Sequence, residues 1–146
     1  MLAGGELEVT GRVDRIDAGP DGRAVVRDYK NRTVHPGARW AEDGRLQVAL
    51  YALAARELLG LDPVGAVYQP LAGPDLRPRG LVCEDGEAGW VTNDVVEPDA
   101  FGCALENARE AALAAARDLR AGRIAACPGS CTPRGCAYPT ICRAAP

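Results

Sequence analysis

From Glu6 to Gly19 the chain reads ELEVTGRVDRIDAG, with β-branched residues and partial alternation of apolar and polar positions. PDGR follows at 20–23, a turn signal, and AVVRDYKNR at 24–32 alternates again. Two alternating segments around an Asp-Gly turn predict a β-hairpin. The period then changes over residues 40–60, WAEDGRLQVALYALAARELLG. Leu46, Leu50, Leu53, Leu58 and several alanines give one apolar helical face, closed by Gly60 near its C-cap. PVGAVYQPL at 63–71 and RGLVCED at 79–85 predict two further strands. Residues 97–122 form a long amphipathic helical pattern, with Pro98 suited to its first turn and Gly122 to its end. The remaining residues, RIAACPGSCTPRGCAYPTICRAAP, are rich in Pro, Gly and Cys and have no periodicity. There is no internal repeat and no low-complexity linker.

Composition narrows the class. A chain of 146 residues with 47% hydrophobic content has room for one globular domain with a real core. Its long apolar stretches are Ala-rich and broken by Arg, Glu and Asp, so no membrane span is expected. MLAGGELEVTG lacks the basic and apolar regions of a signal peptide, and the expected location is cytoplasmic. A net charge of −3 argues against a wholly basic nucleic-acid coat protein. It leaves open a site where bound metal ions offset acidic residues. Of seventeen Lys and Arg residues, Lys30 is the only lysine.

Lys30 is where the chemistry concentrates. Residues i and i+2 of a strand share a face, so Asp28 and Lys30 project together, with Val26 behind them. Arg27 and Tyr29 face the other way. Asp14 is expected on the partner strand, so the hairpin can bring two carboxylates and one amine around a point. Two carboxylates on neighbouring strands suit a hard divalent cation such as Mg²⁺ or Mn²⁺. A lysine beside that cation can orient or deprotonate a water, whereas arginine cannot give up a proton and its flat fork has a different reach. An ordinary cross-strand Asp–Lys pair on a solvent face would read the same way. Gln47 and Tyr51 are i and i+4 and share a helical face, either toward this site or as a boundary pair of a half-buried helix. Asp17 has the opposite parity to Asp14 and reads as structural. His35, in an expected loop before Pro36, has no assigned role. Cys83 and Cys103 read as small buried apolar residues.

GRVDRID, then VVRDYKNR, then LQVALYALAA, then a cysteine cluster ending CAYPTICR together resemble the RecB/AddB-type nucleases of the PD-(D/E)XK superfamily, in this order and spacing over most of the chain. The resemblance implies an α/β, restriction-endonuclease-like core with a mixed β-sheet flanked by helices. It implies metal ligation by Asp14, Asp28 and the Tyr29 carbonyl, a catalytic Lys30, and a supporting Gln47 and Tyr51 that contact DNA. The implied reaction is Mg²⁺- or Mn²⁺-dependent hydrolysis of DNA phosphodiesters in repair or recombination, with an exonuclease the expected form. A helicase region or subunit is the expected partner. The family carries a helical segment before GRVDRID, so the chain reads as N-terminally truncated, the C-terminal piece of a longer protein or a gene fragment.

Cys127, Cys131, Cys136 and Cys142 crowd the last twenty residues. With no export signal, such a cluster reads as a metal site before it reads as disulfides. It lacks the Cys-x-x-Cys knuckles of a zinc ribbon, and four thiolates on an irregular segment can hold an iron–sulfur cluster. The resemblance implies a 4Fe–4S cluster in which Cys131, Cys136 and Cys142 match the final three ligands, with Cys127 replacing an upstream cysteine or the chain lacking it; zinc is the alternative. The expected organisation is a nuclease core over 1–125 and a Cys-rich metal-binding tail over 126–146. Two other functions stand beside the nuclease. One is a non-catalytic DNA-binding or scaffolding module on the same fold. The other is a small metal-binding interaction module built on the tail.

Overall fold

A computed structural model describes residues 7–32, 34, 37, 40–83 and 92–124. His35, Cys127, Cys131, Cys136 and Cys142 lie outside the described residues. Strand β1 (Arg15–Ala18) and strand β2 (Arg23–Lys30) form the expected antiparallel hairpin, with Ile16 opposite Val26. The connection closes through Gly19 N–H to the Arg23 carbonyl at 2.8 Å, and Gly22 adopts φ 85°, a left-handed conformation that favours glycine. Helix α1 (Gln47–Leu59) crosses to strand β3 (Asp62–Pro70), which pairs parallel to β2. Strand β4 (Arg79–Cys83) returns antiparallel to β3, and strand β5 (Val95–Val96) adds a short parallel edge. Helix α2 (Pro98–Arg120) follows. The result is a mixed five-stranded sheet in the order β1-β2-β3-β4-β5, flanked by two helices, the expected α/β class.

The period-2 pattern of β2 chooses the buried face. Ala24, Val26 and Asp28 are buried, while the residues between them are only partly so. The row Ile16, Val26, Ala66 and Leu81 runs across four strands in register. Onto this face α1 lays Val48, Ala49, Ala52, Leu53 and Ala55, and α2 lays Phe101, Leu105 and Ala108. The alanines let helix and sheet approach closely, so small volume changes here are felt. Arg56 pairs with Glu106 at 2.7 Å and Arg109 with Glu57, tying α1 to α2. The chain divides into two compact units, Met1–Ala114 and Ala115–Pro146, so the boundary falls within α2. In the second unit Gly122, at φ 70°, follows the helix end, and Arg123 pairs with Asp118 at 2.6 Å. No helix among the described residues is long and apolar enough to cross a membrane.

Three local expectations are corrected. Strand β1 begins at Arg15, so Asp14 stands just before it rather than within it. Helix α1 starts at Gln47, not near Trp40: residues 41–44 turn, Gly44 takes φ 65°, and the Arg45 N–H returns to the Trp40 carbonyl at 2.8 Å. Trp40 is instead a buried anchor at 2% exposure, packed in the same core. Cys103 is exposed, because the buried stripe of α2 passes through Phe101 and Leu105 and leaves it on the other side; Cys83 is buried as expected. The edge strand β5 has no signal in the sequence beyond two valines. It is held through Asp94 just before it, whose buried carboxylate accepts from Arg79 Nε at 2.6 Å and from the Gly80 N–H at 3.1 Å.

Candidate active site at the junction of β2 and α1

Asp28 ends the buried row of β2, and its side chain is only 4% exposed. A carboxylate loses hydration there and needs a compensating partner. Lys30, two residues on and on the same face, supplies it: the ammonium forms an ion pair with Asp28 Oδ2. That oxygen is buried and has no aligned hydrogen-bond donor, so among the described residues its compensation is the charge of Lys30. Lys30 itself is about one-third exposed, at 35%. Its ammonium also donates to Gln47 Oε1 at 2.9 Å, and Gln47 Nε2 donates to Tyr51 Oη at 3.2 Å. The i, i+4 spacing thus places Gln47 and Tyr51 in one line with the lysine. Gln47 occupies the first turn of α1, whose N-cap Leu46 makes no side-chain cap and whose first turn holds no acidic residue. The first turn of α1 thus carries no acidic side chain of its own, and the positive end of its dipole favours an anion.

Asp14 enters from the other side. Its Oδ2 accepts the Tyr29 N–H at 2.9 Å. The last β1–β2 backbone pair is Arg15 with Arg27, so this N–H lies beyond the ladder and the carboxylate satisfies it. The bond fixes the Asp14 carboxylate against the backbone between Asp28 and Lys30. Asp17 is on the opposite face, where it accepts from Arg15 Nε and Arg27 Nε, both at 2.6 Å. Burial would raise the Asp17 carboxyl, but the two guanidiniums outweigh it and hold the group below its ordinary value. The structural reading of Asp17 agrees with this pairing.

Two residues here went unmarked in the sequence. Tyr68, on β3, stands opposite Asp28 in register and is 4% exposed. Lys30 Nζ lies over its ring, 5.3 Å from the centroid, and its hydroxyl donates to the Arg45 carbonyl at 3.3 Å. Burial pushes the Tyr68 phenol up, so it stays neutral. Gly11 is the other: a Cβ there would lie 3.0 Å from Tyr51 Cε1 and 3.3 Å from Tyr51 Oη, so the missing side chain leaves room for that ring. Only strand pairing reveals Tyr68, whereas Gly11 could have been read from GRVDRID as a point of close approach.

Among the described residues no group of three or more His, Cys, Asp or Glu side chains gathers as a metal cage. A zinc centre with three or four protein ligands therefore does not fit here. Mg²⁺ or Mn²⁺ asks less of the protein, because Mg²⁺ is commonly held by one or two carboxylates and keeps waters or phosphate oxygens as its other ligands.

The sequence matches the family model of the PD-(D/E)XK nuclease superfamily over residues 2–143. The chain belongs to the PD-(D/E)XK nuclease superfamily. The matched span includes both strands of the hairpin, α1 and the cysteine-rich segment. No curated protein and no solved structure matches the chain significantly. Superfamily membership points to nuclease activity, and nucleases of this superfamily generally use Mg²⁺ or Mn²⁺.

Proposed function

We propose that the chain is a divalent-metal-dependent deoxyribonuclease domain of the RecB/AddB type, acting in DNA repair or recombination beside a helicase region or subunit. The observation that carries this is the line Asp28–Lys30–Gln47–Tyr51 next to the anchored Asp14. Asp28-Tyr29-Lys30 reads as the (D/E)XK element of the superfamily. Asp14 and Asp28 would hold Mg²⁺ or Mn²⁺, with the Tyr29 carbonyl as a further oxygen donor. When bound, the ion supplies a Lewis acid for a phosphate oxygen and makes a water more acidic. The chain's own residues do the rest. Lys30 places its ammonium where charge grows on the phosphate and orients the attacking water. Gln47 fixes that ammonium from one side, and Tyr51 keeps the Gln47 amide turned so that its oxygen faces Lys30. The positive end of the α1 dipole favours the approaching phosphate. Outside the described residues, Cys127, Cys131, Cys136 and Cys142 are proposed to hold a 4Fe–4S cluster, with zinc the alternative.

The test is cleavage of linear DNA by the chain with Mg²⁺, with EDTA, and with Asp28→Asn. Cleavage that needs Mg²⁺ and disappears in Asp28→Asn is expected. DNA binding without cleavage, in the wild type with Mg²⁺ or Mn²⁺, would leave a non-catalytic DNA-binding module on the same fold. Iron and sulfide analysis after anaerobic purification tests the cysteines, and stoichiometric zinc without iron would overturn the cluster.

A further inference from the structure

We infer that Tyr68 is the positioning residue of the proposed catalytic lysine, a neutral platform that holds the Lys30 ammonium in place independently of Asp28. The inference rests on the nuclease reading above for its consequence in catalysis, but its geometry stands on its own. Among the described residues the Lys30 ammonium has three neighbours: Asp28, Gln47 and the Tyr68 ring. Asp28 is the one a divalent cation would also claim. Gln47 and Tyr68 are neutral and do not compete for that cation, so they remain to hold the lysine. The ring lies within the range of about 6 Å at which an aromatic face attracts an ammonium.

Tyr68 also reaches the other half of the pair. Its hydroxyl donates to the Arg45 carbonyl, two residues before Gln47 opens α1. One side chain on β3 therefore touches the lysine on β2 through its ring face and the segment leading into Gln47 through its hydroxyl. Ring and hydroxyl have separable tasks. Tyr68→Phe keeps the platform and drops the anchor, and Tyr68→Leu removes the platform while keeping apolar bulk in the core.

The single lysine supplies a direct readout. With ¹³C-lysine incorporated into the full chain, one set of side-chain signals reports Lys30 alone, and the ring current of Tyr68 displaces its ε-methylene resonance. Tyr68→Leu is expected to move that resonance toward the free-lysine value. It should also lower kcat on linear DNA with Mg²⁺ by about tenfold, with KM changed by less than about twofold. Tyr68→Phe should keep the displaced resonance and recover kcat to within about threefold of the wild type. An unmoved lysine resonance in Tyr68→Leu overturns the inference, whether or not activity falls. So does a Tyr68→Phe variant whose lysine signal matches that of Tyr68→Leu. If the wild type cleaves no DNA but the resonance responds as described, Tyr68 still positions Lys30 and only the nuclease reading falls.

Discussion

Replacing Lys30 by methionine should destabilise the fold, although the lysine itself is partly exposed. The cost arises at its partner. The Asp28 side chain is 4% exposed against 35% for Lys30, so removal of the ammonium strands a desolvated carboxylate rather than a solvated amine. Two unit charges about 4 Å apart attract by about 4 kcal/mol at an effective dielectric near 20. Breaking a fully buried pair costs about 3–5 kcal/mol. Water reaching the exposed side of Lys30 screens both figures, and we expect about 1–3 kcal/mol for Lys30→Met. At roughly 4 °C per kcal/mol for a chain of this size, the midpoint falls by about 4–12 °C. Asp28→Asn should cost less, because an amide is cheaper to bury than a charge. The double variant should be more stable than the sum of the single losses predicts, with a coupling of about 1–2 kcal/mol. Urea unfolding of the four proteins at pH 7 without divalent cations measures this. A Lys30→Met protein as stable as the wild type, with zero coupling, would refute the claim that Lys30 compensates a buried carboxylate.

Leu53 is fully buried between α1 and the sheet, so Leu53→Ala should lose about 2–5 kcal/mol in the same unfolding assay. Asp94→Ala should cost about 2–4 kcal/mol, since it leaves the buried Gly80 N–H without its acceptor and frees Arg79; hydrogen exchange should localise the damage to β4 and β5. Asp17 is held below its ordinary value of 3.8 in the folded state, so its contribution is complete above that value and is lost as pH falls through the lower folded-state value. Asp17→Asn should therefore reduce stability at pH 6 and flatten the acid limb below about pH 4, read from thermal midpoints across pH.

The periodic parts of this fold were open to reading. Alternation in AVVRDYKNR put Val26, Asp28 and Lys30 on one face, and the burial of β2 follows that parity. Gly60 ends α1 at φ 66°, and Pro98 opens α2, as their backbone preferences require. Gln47 and Tyr51 could be paired from spacing alone, because both belong to one helix. What stayed hidden depends on contacts between distant residues. Tyr68 looks like one more strand aromatic until β2 and β3 are set in parallel register. Gly37 looks like an ordinary loop glycine, yet a Cβ there would lie 2.7 Å from the Gly80 carbonyl carbon and 2.3 Å from Leu81 Cγ. Trp40 reads as part of the helical pattern because an apolar residue shortly before an amphipathic run fits that period too. Its burial comes from the turn at 41–44, which local hydrophobicity does not encode. Asp94 and Arg79 are fifteen residues apart, and nothing local joins them.

In the proposed nuclease, Lys30 serves metal-dependent cleavage by its shape and position, not merely by its charge. The most direct test is the rate of Mg²⁺-dependent cleavage of linear DNA by wild type, Lys30→Ala and Lys30→Arg, with unfolding followed on the same samples. A compact ammonium aimed between Asp28 and Gln47 cannot be reproduced by a planar guanidinium. Both variants should lose about a hundredfold or more in rate, with Lys30→Arg nearly as slow as Lys30→Ala even where its fold is retained. Full activity in a folded Lys30→Arg protein would contradict the account, because any positive charge would then serve.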